Sequence, residues 1–223
     1  MDKWRVTLEL TEKMLGTVPK NKEVYTNFIQ SKAQDRVEPP MVPAAITAQE
    51  VDTVVQELEG AGWTGFHQNQ NGLLVYDYFI KGFIKNAANI LKSDMGKFCL
   101  KKAEGGFANF KSHINNYVFV RPREVHIEDD LRTRTFLKAP DGVLERPLRA
   151  MTAQGPRVAL VKSDYVSAGR FLAFEIWLAD GHPFQHVDEM LGRLLAYGEV
   201  QGLGQWRNGS FGTFRVVRVE VVK

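Results

Sequence analysis

The chain has 223 residues, 44% of them hydrophobic and 25% charged, with 29 Lys and Arg against 26 Asp and Glu for a formal net charge of +3. That balance excludes global disorder, a collagen-like repeat and a bare coiled coil, and the lone Cys99 excludes an intrachain disulfide or a cysteine zinc cage. No stretch approaches the ~20 apolar residues of a membrane span, and Met1-Asp2-Lys3-Trp4-Arg5 lacks a signal peptide's apolar core, so a cytoplasmic protein without membrane contact is expected.

Trp4, Val6, Leu8 and Leu10 alternate with charged or hydroxyl residues, which predicts a first strand. The span 11–72 reads as a helical insertion into the core. Within it, Gly16-Thr17-Val18-Pro19 and Pro39-Pro40 break the chain and a short helix is expected over 22–32. A second helix is predicted over 47–58, with Thr47 and Glu50 as a capping box and Val51, Val54, Val55 and Leu58 as the apolar stripe. Gly60-Ala61-Gly62-Trp63-Thr64-Gly65 has the spacing of a dinucleotide-binding loop. A helix precedes it where that loop needs a strand, so it reads as a helix stop and turn, and no cofactor is expected.

Leu73-Leu74-Val75-Tyr76 reads as a short buried strand feeding a helix from about 78 to 91, with Phe79, Phe83, Ala87 and Ile90 on one side and Lys81, Lys85 and Lys92 on the other. From Asp77 to Arg123 nine Lys and Arg stand against three Asp and Glu, whereas 41–60 carries four acids and no base, so the surface potential is uneven. Tyr117 to Arg121 is a predicted strand, continued by Val125-His126-Ile127 after Pro122. Then 133–137 and 143–148 flank Lys138-Ala139-Pro140-Asp141-Gly142, the composition of a hairpin tip, decorated by Arg132, Arg134, Lys138, Arg146 and Arg149. Strands over 157–161 and 171–178 follow, then an amphipathic helix over 184–197 with Val187, Met190, Leu191, Leu194 and Leu195 inward. An alternating strand over 214–222 closes the chain.

The most informative segment lies before that last strand. From Gly198 to Phe214 five glycines, Gly198 included, surround Gln205, Trp206, Arg207, Asn208 and Phe211. Glycines permit positive φ and close backbone approach, so consecutive amides can face an anion, while Arg207 adds a fork of donors and Trp206 and Phe211 offer flat faces for stacking. No Lys-Ser or Lys-Thr pair follows, and a strand stands where a phosphate-binding loop needs a helix, so this is not a Walker loop. The alternative is an elaborate turn whose aromatics pack down and whose arginine pairs with a carboxylate. The element order as a whole is β-α-β-β-α-β, the α+β ferredoxin-like sheet that many RNA-binding modules share.

Gly202-Leu203-Gly204-Gln205-Trp206-Arg207-Asn208-Gly209-Ser210-Phe211-Gly212 resembles the carboxy-terminal glycine-rich loop of the RAMP superfamily, the repeat-associated proteins that form RNA-binding subunits of CRISPR effector complexes. Tyr78-Phe79-Ile80-Lys81-Gly82-Phe83-Ile84-Lys85 is similar to the Lys-Gly helix start of backbone subunits in those complexes, and the combined pattern also resembles RAMP-like proteins of phages and prophages. The resemblance covers about half of the chain. It implies one domain over 1–223, with a thumb-like hairpin at about 124–157, gripping a single-stranded, guide-like RNA within a ribonucleoprotein or a homo-oligomer. The RNA-binding residues it implies are Lys81, Gly82, Lys85, Arg121, Arg123, Arg134, Arg149, Gly202, Gly204, Gln205, Trp206, Arg207, Asn208 and Phe211.

Some RAMP relatives cleave RNA without metal, and for that chemistry His113, between Lys111 and Asn115, is the first candidate, although it reads more simply as an exposed loop histidine. His182 and His186 have helical metal-ligand spacing, but Pro183 places His182 ahead of the helix, so no metal site is expected. Cys99, between Phe98 and Leu100, reads as a small hydrophobe. The leading reading is a non-catalytic RNA-binding protein; the alternatives are a metal-independent endoribonuclease and a phage-encoded interaction protein that uses the fold for docking or self-assembly.

Overall fold

The computed structural model describes residues 1–20, 62–99, 110–152 and 155–222. In chain order these hold β1 (Asp2–Leu10), β2 (Met14–Leu15), β3 (Val18–Pro19), β4 (Trp63–Gly65), β5 (His67–Asn69), β6 (Gly72–Tyr76), α1 (Asp77–Ile90), α2 (Lys92–Met95) and α3 (Phe110–Tyr117). There follow β7 (Val118–Arg121), β8 (Glu124–Asp130), β9 (Thr135–Phe136), β10 (Gly142–Thr152), β11 (Gly155–Val166), β12 (Phe171–Leu178), α4 (Val187–Ala196) and β13 (Phe214–Val222). The helices expected over 22–32 and 47–58 lie outside the described residues.

Alternation makes β1 a strand buried on one face: Trp4, Val6, Leu8 and Leu10 are buried and Arg5 is exposed. β12 repeats the pattern with Leu172, Phe174, Ile176 and Leu178, and antiparallel pairing sets Val6 opposite Phe174 and Leu8 opposite Leu172. β13 flanks the other side of β1 and β8 the other side of β12, giving the order β13-β1-β12-β8-β6-β5. The last core strand thus lies beside the first, the first beside the third and the third beside the second. With α1 and α4 as the two crossovers, this is the ferredoxin-like α+β sheet that the element order predicts.

Ile80, Phe83, Ile84, Ala87 and Ala88 of α1 and Met190, Leu191, Leu194 and Leu195 of α4 are buried. The Phe83 and Phe214 rings meet edge to face at 5.0 Å, and the Trp4 indole N–H donates to Asp188 Oδ1 at 2.6 Å, fastening β1 to the start of α4. Each buried Leu, Ile, Phe or Met side chain among these contributes about 1.5–3 kcal/mol by leaving water.

The chain divides into two compact units: Met1–Leu15, His67–Pro140 and Val166–Lys223 form the first, and Gly16–Phe66 with Asp141–Tyr165 the second. The two stretches expected as separate insertions therefore contribute largely to one second unit. Its described elements are strands, in the order β10-β11-β4-β3. Trp63–Gly65, within the string resembling a dinucleotide loop, is the strand β4, pairing with β11 and β3.

Two local expectations are corrected. The hairpin does not turn at 138–142: β9 pairs back onto β8, and Leu137 N–H donates to Ile127 O at 2.8 Å, while β10 pairs with β11 from Gly142↔Tyr165 to Thr152↔Gly155. Pro140-Asp141-Gly142 marks the departure from the sheet, and the β10–β11 ladder extends to its last described pair, Thr152↔Gly155. Second, 110–117 is the helix α3, with Phe110 and Ile114 buried. Its polar residues Lys111, Ser112, Asn115 and Asn116 left too narrow an apolar stripe to be read as a helix.

Removing the ring at the α1–β13 contact tests this core. Phe83→Ala is expected to lower unfolding free energy by about 3–5 kcal/mol, read as a shifted denaturant midpoint, and Phe83→Leu to cost markedly less. Equal losses would mean that cavity formation is not the cause.

Candidate nucleic-acid interface

After α4 a 3-10 turn over Tyr197–Glu199 leads into the glycine-rich loop. Gly202 and Gly212 approach so closely that a Cβ on Gly202 would overlap the Gly212 carbonyl, and one on Gly212 the Leu203 carbonyl. Gly204, at φ +85°, lies against Leu15 O in the same manner, and Gly198 has the Phe214 ring where a Cβ would stand. Hydrogen bonds fasten this base to the chain leaving β1: Gly212 N–H donates to Lys13 O at 2.8 Å, Gln205 N–H to Leu15 O at 3.3 Å, and Thr11 N–H to Thr213 O at 2.8 Å. The loop also closes on itself, with Leu203 N–H donating to Gly212 O at 2.9 Å and Gly209 N–H to Trp206 O at 2.8 Å. The amides of Leu203, Gln205, Gly209 and Gly212 are thus occupied within the protein, which narrows the run of N–H groups that the loop can turn toward an anion. The glycines serve as spacers.

What the loop presents is its tip. Trp206 (φ 55°) and Ser210 (φ 64°) adopt the left-handed region on either side of a short 3-10 turn over Arg207–Gly209, a conformation costing a non-glycine residue about 1–2 kcal/mol. Trp206, 43% exposed, meets the half-buried Phe211 edge to face at 6.5 Å. Trp206, Arg207, Asn208 and Gly209 line a shallow concavity. The ion pairs run elsewhere, Arg215 to Glu9, Arg218 to Glu220 and Lys97 to Glu189, and among the described residues no carboxylate pairs with Arg207.

A carboxamide relay joins this tip to α1. Asn86 Nδ2 donates to Gln201 Oε1, and Gln201 Nε2 donates to Asn208 Oδ1 at 3.2 Å. Asn86 sits on α1 four residues after Gly82, whose missing side chain faces open space, so the helix backbone is bare there. Lys81 and Lys85 are both half-buried on this helix. Burial first, and then the neighbouring Lys85 cation, lower the pKa of Lys81 from the ordinary lysine value, while Asp77 opposes them. Lys81 Nζ donates to Asn115 O at 2.8 Å and lies 4.6 Å from the Phe119 ring centre, so its tip leans toward α3 and β7.

At the start of α1, Asp77 N–H donates to Arg123 O at 2.9 Å, which brings the Arg123 guanidinium to 5.8 Å from the Tyr76 ring. Tyr76 stacks on Tyr78 at 5.7 Å and Tyr78 on Phe79 at 4.8 Å, and Tyr78 is 53% exposed. Sequence reasoning passed over Asn86, Gln201 and this aromatic row, because nothing local distinguishes a surface amide or tyrosine from solvent-facing filler. The Tyr-x-Tyr spacing beside a basic helix was the available signal.

The remaining expected residues disperse. Arg121 is exposed at the end of β7, opposite Glu175. Arg134 (φ 51°) is exposed in the turn after β8, where its charge bears on Glu128. Arg149 lies on β10 in the second unit. His113 is not a loop residue: it is half-buried on α3, with the Tyr117 and Phe184 rings 6.3 and 6.4 Å away. His182 Nδ1 accepts from Phe184 N–H at 3.2 Å, and His186 caps α4 in the left-handed region. Among the described residues no group of three or more His, Cys, Asp or Glu could hold a metal ion. Burial pushes the Cys99 thiol up from its ordinary pKa, away from the nucleophilic thiolate. No described helix is long and apolar enough to cross a membrane.

Strand order and crossovers make the first unit ferredoxin-like. No protein-family model matches the sequence, and no curated protein matches it. Among solved structures, a chain in the cryo-EM structure of the Type III-B Cmr-beta bound to cognate target RNA is similar over 100% of this chain, at 12% identity and a TM-score of 0.49. This chain spans 61% of that chain's length.

Glycine substitutions separate spacers from bare backbone. Gly212→Ala and Gly202→Ala are expected to destabilise the fold by more than about 2 kcal/mol, because a Cβ enters backbone atoms. Gly82→Ala is expected to stabilise it by about 0.5–1 kcal/mol, because the helix gains propensity and nothing is displaced. Thermal melts of the three variants read the opposite signs. Glu128 provides a pH test. It is 8% exposed, and desolvation raises its pKa above the ordinary value despite the opposing Arg134 charge. The folded state therefore binds the proton more tightly than the unfolded chain, and stability falls as pH rises from the ordinary glutamate pKa through the raised one. Glu128→Gln should raise Tm at neutral pH and bring no gain below the ordinary glutamate pKa.

Proposed function

We propose that the protein binds single-stranded RNA, without cleaving it, along the outer side of α1 and the tip of the glycine-rich loop. The observation that carries this reading is Arg207: an exposed guanidinium with no carboxylate partner among the described residues, on a turn whose conformation is set from below and tied through Asn208, Gln201 and Asn86 to a bare stretch of helix. A guanidinium presents a rigid fork of donors that matches phosphate oxygens. Lys81 and Lys85 repel one another on α1, and a phosphate near them relieves that repulsion. Gly82 lets a backbone approach the helix. Trp206 and Tyr78 offer exposed aromatic faces, and stacking on such faces accepts any base.

In this reading the protein is of RAMP type, works in the cytoplasm and grips a guide-like strand within a ribonucleoprotein. Arg123 extends the grip at the helix start, while Gly202, Gly204, Gln205 and Phe211 shape the loop that holds Trp206, Arg207 and Asn208 in place. Arg121 and Arg134, exposed elsewhere on the first unit, add to its positive potential without belonging to the grip itself.

A fluorescence-anisotropy titration with a short single-stranded RNA across a salt series tests the proposal. Affinity is expected to fall with salt, Arg207→Ala to flatten the log–log slope by about 0.7 for the one phosphate lost, and Trp206→Ala to cost about 1–3 kcal/mol at constant salt. Absence of binding at low salt, or binding unaltered in a combined Lys81→Ala and Arg207→Ala variant, would overturn the assignment.

A further inference from the structure

The strand that follows the loop has a second feature that RNA binding does not use. β13 is the terminal strand of its sheet: β1 pairs with one of its sides, and among the described residues no strand pairs with the other. Its outer half reads Val217-Arg218-Val219-Glu220-Val221. The three valines are exposed by 48%, 37% and 60%. Nine residues long and rich in valine, this edge has the properties by which a sheet recruits another strand.

Natural sheets commonly blunt such edges with charge, and Arg218 and Glu220 could be taken for that device. Their signs and spacing argue otherwise. Two like charges would repel a second copy in any register, whereas one Arg and one Glu disposed about a central Val make the segment its own complement. In an antiparallel pairing of two copies about a two-fold axis through Val219, Arg218 of one faces Glu220 of the other, while Val217, the extra residue of the register shift opposite Thr7 and Leu8, lies at the margin of the ladder. Faces also agree: Arg218 and Glu220 stand opposite Thr7 and Arg5 of β1, on the side away from the buried row, while Val219 and Val221 stand opposite the buried Val6 and Trp4. Neighbouring registers fail. One centred on Arg218 sets arginine against arginine, and one centred on Glu220 sets glutamate against glutamate. Directly opposed unlike charges stabilise a strand pair and like charges destabilise it.

We propose that β13 is a self-recognition edge, through which two copies of this chain join their sheets antiparallel about Val219 into an isologous dimer. Within one chain Arg218 already pairs with Glu220. In the dimer each exchanges that partner for the opposite one on the second copy, so no charge is left unpaired. A strand edge buries less than the roughly 1,600 Å² of a standard interface, so assembly is expected at micromolar rather than nanomolar concentrations.

Sedimentation equilibrium of the RNA-free full chain over a wide concentration range reads the outcome. The parent protein should self-associate to a dimer. Arg218→Glu and Glu220→Arg should each weaken the dimer about tenfold or more, since both cross-strand contacts become repulsive. An equimolar mixture of the two single variants should regain the dimer as a heterodimer, because 218 and 220 are then oppositely charged across the interface although neither chain retains its internal ion pair. The double exchange, Arg218→Glu with Glu220→Arg, should dimerise like the parent, and far-UV circular dichroism establishes that each variant is folded. A parent monomeric at the highest concentration, a dimer indifferent to either single exchange, or a mixture that stays monomeric would each overturn the proposal.

Discussion

At the base of the loop before β13 two stretches of backbone touch where no Cβ can fit. Gly202 and Gly212 lie against each other, Gly204 lies against Leu15 O, and hydrogen bonds to Lys13 and Leu15 hold the pair onto the chain leaving β1. The tip depends on this clamp. Because the loop is fixed from below by backbone contacts, Arg207 and Asn208 need no side-chain anchors in the core and remain exposed, and Trp206 stays partly so. The left-handed conformations of Trp206 and Ser210 cost free energy that a loose loop would shed by rearranging; here the clamp retains them.

The glycines of this protein thus do two physically different things. Those at the loop base are present because another atom occupies the place of a side chain. Gly82 is present with nothing near it, in the interior of a helix where glycine is unfavourable by about 1 kcal/mol relative to alanine. A cost without an internal return points outward, to a molecule that approaches the helix. Gly192 on α4 is equally open, so openness alone does not single out a site. For Gly82 the neighbours decide: two lysines, an exposed tyrosine and the Asn86 relay surround it on α1, whereas α4 near Gly192 carries Glu189 and Arg193, which pair with each other.

Much of the core was legible because β1 and β12 alternate cleanly and α1 and α4 carry apolar residues at helical spacing, so their burial follows from local pattern alone; β13 was legible as a strand, but only its Phe214 is buried. The hairpin was misread because Pro140-Asp141-Gly142 is a stronger turn signal than the residues around 152–155, and only the tertiary pairing of β9 with β8 shows where the chain leaves the sheet. α3 escaped for want of a wide apolar stripe. In the site, Arg207 and Trp206 were legible from composition. The occupation of the Gln205 and Gly212 amides was not, since their acceptors are Leu15 and Lys13, some two hundred positions earlier. Nor was the relay from Asn86, because two carboxamides 115 residues apart carry no mark in the sequence of being partners.

β13 is where the two halves of this picture meet. Its first residue, Phe214, is buried against Phe83 and ends the clamped loop, while past the register shift opposite Thr7 and Leu8 the strand leaves the core and shows its valines to solvent. Held at one end by aromatic packing and along one side by β1, the strand is already fixed, so a second strand joining it beyond the register shift would give up little further backbone freedom. The rigidity that would steady the tip for the proposed phosphate contact would also lower the entropic cost of the proposed edge pairing. The two proposed surfaces draw on one constraint and lie toward opposite ends of the same strand, so neither proposal requires the other to be displaced.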